Sequence, residues 1–170
     1  MSLEHMPVGV VVERRPAASR WLDHVWRAAA VLPGRPETPP WSLLAEADGV
    51  SRYYAGTVEL EAHRADTKVY KLNLEQEQPS VYVVLRPGAG SGPEGWGLLL
   101  ATVDPTEAQA HADSGTDLVE ALPMPPSVHA WLRDFVARHH VERKEWYRRN
   151  DRANPEALAG RRRPVEDQDE

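Results

Sequence analysis

The chain has 170 residues, no cysteine, 20 Lys/Arg against 26 Asp/Glu, and a formal net charge of −6. That length predicts one domain able to bury roughly 70% of the surface its unfolded form exposes, and the missing cysteines exclude disulfides, thiolate catalysis and Cys-based zinc or iron–sulfur sites. No apolar run approaches the ~20 residues of a membrane-spanning helix and the polar start before Pro7 is too short for a signal peptide, so the expected address is cytoplasmic, without membrane association.

Val8–Glu13 is a β-rich run between Pro7 and Pro16 and predicts a first strand. Val25–Leu32 predicts a second, ended by Pro33-Gly34. Arg35–Pro40 holds three prolines in six residues and predicts an irregular surface loop before Trp41. Over Thr57–Ala62, Val58, Leu60 and Ala62 alternate with Thr57, Glu59 and Glu61, the period of a half-buried strand. After a turn at His63–Asp66, the alternation of Tyr70, Leu72 and Leu74 with Val69, Lys71 and Asn73 predicts a partner strand and hence a hairpin. Val81–Leu85 is apolar throughout, as in a strand covered on both faces. The glycine-rich stretch Gly88–Gly95 then links it to a further buried strand over Trp96–Val103.

Asp104-Pro-Thr-Glu107 is a helix start, with Asp104 as cap and Pro105 in the first helical position, and Gly115 stops that helix after Asp113. Leu122–Pro126 reads as an extended connector. From Pro125 to Arg152 a long amphipathic helix is expected, its first half carrying Val128, Trp131, Leu132, Phe135, Val136 and His139 as one apolar stripe. The expected fold class is α+β: a curled antiparallel sheet or partial β-barrel of about six strands, with a short helix and the long C-terminal helix packed on it. Residues 6–152 form a single β-rich domain in this reading, and 153–170 a disordered charged tail.

The second half of the long helix changes character. Residues 138–152 carry six Lys/Arg against three acids, beside an acidic body. Arg143, Lys144, Trp146, Tyr147, Arg148 and Arg149 make it a basic, aromatic arm, and Trp, Tyr and Arg are the types that concentrate interface energy. A protein partner is therefore expected there. Nucleic acid is not, because the whole chain is acidic, with a pI near 5.7.

A second candidate is a ligand site at Trp21, Asp23, His24, Trp26 and Arg27, where two indoles flank an acid–imidazole pair, with Arg86 as anion anchor. Arg14-Arg15 and Arg86 end apolar strands and would form a cationic patch if those ends were neighbours. No Gly-X-Ser-X-Gly elbow places a nucleophile, so no catalytic residue is assigned. The Gly88–Gly95 loop has Pro-Glu-Gly where a phosphate cradle needs Lys and Ser/Thr, and a strand follows it rather than a helix. His139 and His140, adjacent on a helix, point about 100° apart, and His139 with Glu142 supplies two ligands only, short of a third such as His111 or His24. Neither metal nor cofactor is expected.

Several phrases taken together resemble one uncharacterised bacterial family. They are Pro7-Val-Gly-Val-Val-Val-Glu-Arg-Arg-Pro16, Trp21…Trp26-Arg27, Val31-Leu-Pro-Gly34, Asn73-Leu74, Pro79-Ser-Val-Tyr-Val-Val-Leu-Arg86, Thr106-Glu-Ala-Gln109, Pro123-Met-Pro125 and Trp146-Tyr-Arg-Arg149. That family is encoded beside molybdenum-enzyme operons, notably formate dehydrogenase, and is sometimes labelled molybdopterin-guanine dinucleotide biosynthesis protein A-like. The resemblance implies a role near molybdenum-enzyme maturation, with a molybdenum-enzyme subunit as partner, and specifies no reaction. A guanylyltransferase needs a glycine-rich nucleotide loop opening a doubly wound α/β domain, and Val8-Gly-Val-Val-Val-Glu13 supplies one glycine with no βα alternation after it. The sequence thus points to a non-enzymatic accessory or assembly factor acting by protein–protein interaction. The alternative is a small-molecule or anion-binding protein or enzyme using the Trp-lined pocket near His24 and Arg86.

Overall fold

The fold, taken from a computed structural model that describes residues 3–142, consists of two antiparallel sheets and three helices. The first sheet is built from β1 (Leu3–Pro16), β2 (His24–Pro33), β3 (Ser42–Ala47) and β4 (Val50–His63), in the spatial order β2-β1-β4-β3. The second contains β5 (Ser80–Arg86), β6 (Gly97–Thr102) and β7 (Leu118–Pro123), in the order β6-β5-β7. β6 comes alongside β4, and β7 alongside β2, without joining their ladders. The sheets therefore enclose a core without closing into a barrel. The expected α+β class holds, as an antiparallel structure with two sheets in place of one curled sheet.

The central strands explain the apolar runs in the sequence. β1 is paired on both sides, and Val8, Val10 and Val12 turn inward with no exposed surface. β5 is central in its own sheet and contributes Val81, Val83 and Leu85 to the same core. Helix α3 (Pro126–His139) closes that core with Val128, Leu132 and Phe135, all fully buried, with Trp131 and Val136 packed beside them. Full burial of side chains of this size contributes about 1.5–3 kcal/mol each. The predicted stripe is thus the packing face of α3, and its last member, His139, lies 4.6 Å from the Phe135 ring. Arg138 donates to Glu4 at 2.7 Å, tying the end of α3 to the start of β1.

Four expectations are corrected. Thr67–Leu74 is a helix, α1, where a strand was expected, so the hairpin with Thr57–Ala62 does not exist. Its buried residues Thr67, Tyr70 and Asn73 recur every three positions, while Leu72, assigned to the apolar face by alternation, is 54% exposed. Strand β3 was not expected. It pairs with β4 through Asp48-Gly49, both at positive φ (55° and 78°), the conformation that suits a two-residue hairpin turn. Strand β7 was not expected either, and it takes in only the first two residues of the expected connector, Leu122 and Pro123, the latter opposite Ser80. Finally α3 stops at His139: His140 is extended (φ −74°, ψ 125°), and its Nδ1 bonds Thr67 Oγ1 at 3.1 Å. The helix therefore does not continue into the basic arm. Arg143, Lys144, Trp146, Tyr147, Arg148 and Arg149, and the expected tail at 153–170, lie outside the described residues.

Helix α2 (Pro105–Asp113) follows its sequence signal closely. The Asp104 side chain accepts from the backbone N–H groups of Thr106 (2.8 Å) and Glu107 (3.3 Å), and Pro105 takes the first turn. Among the described residues no helix is long and apolar enough to cross a membrane.

Candidate functional site

The residues proposed around His24 are parted by strand geometry. β2 begins at His24, so successive side chains turn to opposite faces. Trp26 turns inward and is buried; His24 is half-buried; Asp23, Val25 and Arg27 are exposed. Trp21 lies in the loop before β2 and is 92% exposed, so it is not a wall of a pocket. Asp23 and His24 have separate hydrogen-bond partners. The Asp23 carbonyl accepts from Ala17 N–H at 3.1 Å, while His24 Nδ1 donates to Glu94 at 2.7 Å.

Glu94 is the residue that sequence reasoning missed. It sits in the predicted hairpin loop between β5 and β6, at φ 58°, and receives the Trp26 indole N–H at 2.7 Å as well as His24. The indole hydrogen bond, then those of His24 and the charges of His24 and Arg14, hold its carboxyl below the usual range despite the opposing cost of burial. Around Trp26 stand Trp96, Tyr53 and Trp41 at centroid distances of 5.7, 5.9 and 6.4 Å, the last edge-on. The Arg14 guanidinium lies 5.8 Å from the Trp26 ring and 5.6 Å from Tyr53, within cation–π range. Tryptophans from three parts of the chain thus make a packed aromatic group, the Trp26 indole N–H at its centre satisfied by Glu94, and anchor the core.

Arg86 belongs elsewhere. It donates through Nε and an η nitrogen to Asp117 at 2.6 and 2.9 Å, and His111 Nδ1 approaches the same carboxylate at 2.9 Å. The Asp117 side chain has no exposed surface. The Arg86 hydrogen bonds foremost, aided by those of His111 and both charges, hold its pKa at about 2 against the opposing effect of desolvation. Arg86 and His24 therefore answer to different carboxylates. The imagined patch of Arg14, Arg15 and Arg86 is likewise divided, since Arg14 stacks on aromatic rings and Arg15 Nε donates to Glu13 at 2.6 Å. The histidines considered for a metal also separate, His24 to Glu94, His111 to Asp117 and His139 to Phe135.

A different set of charged residues does converge. Glu13 of β1 stands opposite Arg27 of β2 and Arg52 of β4, so the three side chains share the sheet face turned away from Val12. Arg15, two residues along β1, joins that face. Beyond the edge of β2, Glu120 of β7 accepts from Arg27 Nε at 3.3 Å and from the Ala28 backbone N–H at 2.8 Å. That amide is available because the β1–β2 register skips Ala29, a bulge between Val11/Val12 and their partners Ala30/Ala28. These five charged side chains, with Ala28, Ala29, Ala121 and Leu122, line a cavity of about 400 Å³. Of the predicted ligand residues, only Arg27 reaches it.

The chain belongs to the family described as protein of unknown function (DUF3305), which it matches over residues 7–149. No curated protein and no solved structure matches it at a significant level.

Proposed function

Starting from membership of a family of unknown function, we propose that this chain is a cytoplasmic, non-enzymatic accessory protein that works by binding another protein. The observation that carries the reading is the loop between β1 and β2. Trp21 is 92% and Leu22 60% exposed there, beside the exposed Val25. The loop is held in shape by the Ala17–Asp23 backbone bond and by Trp21 N–H donating to Ser19 Oγ at 3.1 Å. Trp26, Trp41, Trp96 and Trp131 are buried or half-buried, so one indole out of the described set is presented to solvent on a closed turn. A preorganised Trp-Leu pair favours association, because little freedom remains to be lost on docking.

The chemistry-bearing residues support the same reading, since they are used internally. His24 and Trp26 hold Glu94, and Arg86 and His111 hold Asp117. The resemblance to a family encoded beside molybdenum-enzyme operons suggests a subunit of such an enzyme, formate dehydrogenase being the prime example, as the partner. The basic arm at Arg143–Arg149 is the second contact in this proposal.

The test is affinity purification of the full chain from its native host with mass spectrometry, beside a Trp21→Ser/Leu22→Ser variant and an Arg148→Ala/Arg149→Ala variant. A molybdenum-enzyme subunit is expected with the wild type and depleted with the loop variant, whose circular dichroism should match wild type. Depletion with the arm variant alone would move the contact to the arm. No enrichment of such a subunit would overturn the proposed partner.

A further inference from the structure

We infer that the cavity between β1, β2, β4 and β7 is a binding site for the oxyanion of a small molecule, a carboxylate or a phosphate monoester, held by Arg15, Arg27 and Arg52. This site is independent of the Trp21 surface and lies apart from His24 and Arg86, which are engaged by Glu94 and Asp117. Three facts carry it. First, the strand register delivers all three guanidinium groups to one face, because Arg27 and Arg52 flank Glu13 on either side.

Second, the two carboxylates present bind their arginines at Nε. Glu13 takes Arg15 Nε at 2.6 Å and Glu120 takes Arg27 Nε at 3.3 Å. This fixes each guanidinium while leaving its terminal nitrogens unpaired among the described residues. Arg52 has no hydrogen bond or ion pair among the described residues. Third, the charges do not cancel. Three arginines face two glutamates, and Glu120 has already committed both oxygens, the second to Ala28 N–H at 2.8 Å. One negative charge completes the balance. The forked η nitrogens of arginine match the paired oxygens of a carboxylate or phosphate. At about 400 Å³, with Ala28, Ala29, Ala121 and Leu122 also in its lining, the space admits a short organic body beside the anion.

The experiment is a titration of the full ¹⁵N-labelled chain with inorganic phosphate and, separately, with acetate, against sodium chloride at matched ionic strength. Saturable shifts of the Ala28 and Ala29 amides are expected with at least one of the two anions at millimolar concentration. Phosphate alone would assign the site to phosphate esters, acetate alone to carboxylates, and either supports the proposal. Arg52→Ala, an exposed position whose fold is checked by its unperturbed remaining spectrum, should weaken binding about tenfold, the effect of one charge-assisted hydrogen bond. Arg52→Lys should recover only part of it. Shifts equalled by chloride, or unchanged affinity in Arg52→Ala, would overturn the assignment.

Discussion

Asn73 is fully buried, and its amide is the joint between α1 and the second sheet. Its Nδ2 donates to the carbonyls of Ser80 and Val103, both at 2.9 Å, and its Oδ1 accepts from Ser80 N–H at 3.0 Å. Replacing it with alanine removes three hydrogen bonds from a place water does not reach. A buried polar group deprived of its partner costs about 1–3 kcal/mol. Each of the two carbonyls keeps a second lone pair, so the lower end applies and Asn73→Ala should cost about 3 kcal/mol in all. With a urea dependence of about 2 kcal/mol per molar, the unfolding midpoint should fall by about 1.5 M. Asn73→Asp should be worse at pH 7, because it places a carboxylate against two carbonyl oxygens. Its deficit should shrink toward pH 5, since a carboxyl with a raised folded pKa is tolerated when protonated and loses stability as pH rises. Equilibrium urea denaturation followed by circular dichroism measures all three proteins. A midpoint for Asn73→Ala within about 0.3 M of wild type, or an Asp variant more stable than the Ala variant at pH 7, would refute the account.

Two further outcomes are expected. Asp117 is held at about 2 against an ordinary 3.8, so the unfolded chain binds its proton more readily than the folded one. Its contribution is present above about pH 4 and fades as pH falls toward 2; urea midpoints should decline over that window in wild type and less steeply in Asp117→Asn, which should also be the less stable at pH 7. Glu4 and Glu94 are lowered as well and share the direction, so some decline should persist in the variant. Gly9 lies in β1 where a Cβ would stand 2.7 Å from Tyr54 Oη and 2.8 Å from its Cε2, with that ring buried. Gly9→Ala should therefore cost about 1–3 kcal/mol in thermal or urea unfolding, and less in a Tyr54→Val background, where the ring is gone.

What the sequence disclosed followed the reach of the forces involved. β1, β5 and the packing face of α3 were legible because an apolar run or stripe states its own burial. α2 was legible because Asp104 and Pro105 act within one turn. α1 was not, since in eight residues the alternation of Tyr70, Leu72 and Leu74 reads as a strand, whereas the buried set Thr67, Tyr70 and Asn73 follows the helical period. The β3–β4 hairpin carried an Asp48-Gly49 signal, but the exposed Leu43 and Leu44 gave no alternation to set beside it. At the candidate sites the deficit was register. Trp21 and Trp26 look equivalent beside His24, yet only Trp26 lies within a paired strand, where pairing fixes its face.

The same register is what collects Arg15, Arg27 and Arg52, and it separates what stability explains from what it does not. Glu13 neutralises Arg15, and Glu120 neutralises Arg27 while satisfying the amide freed by the bulge at Ala29. Those four residues form a balanced set that the fold itself employs. Arg52 adds a third positive charge directly across from Glu13 with no partner of its own among the described residues. The positive charge left in excess on that face opposes folding until a further negative charge joins it. A bound oxyanion removes that opposition, which makes Arg52 the residue whose replacement discriminates most sharply between a structural cluster and a site.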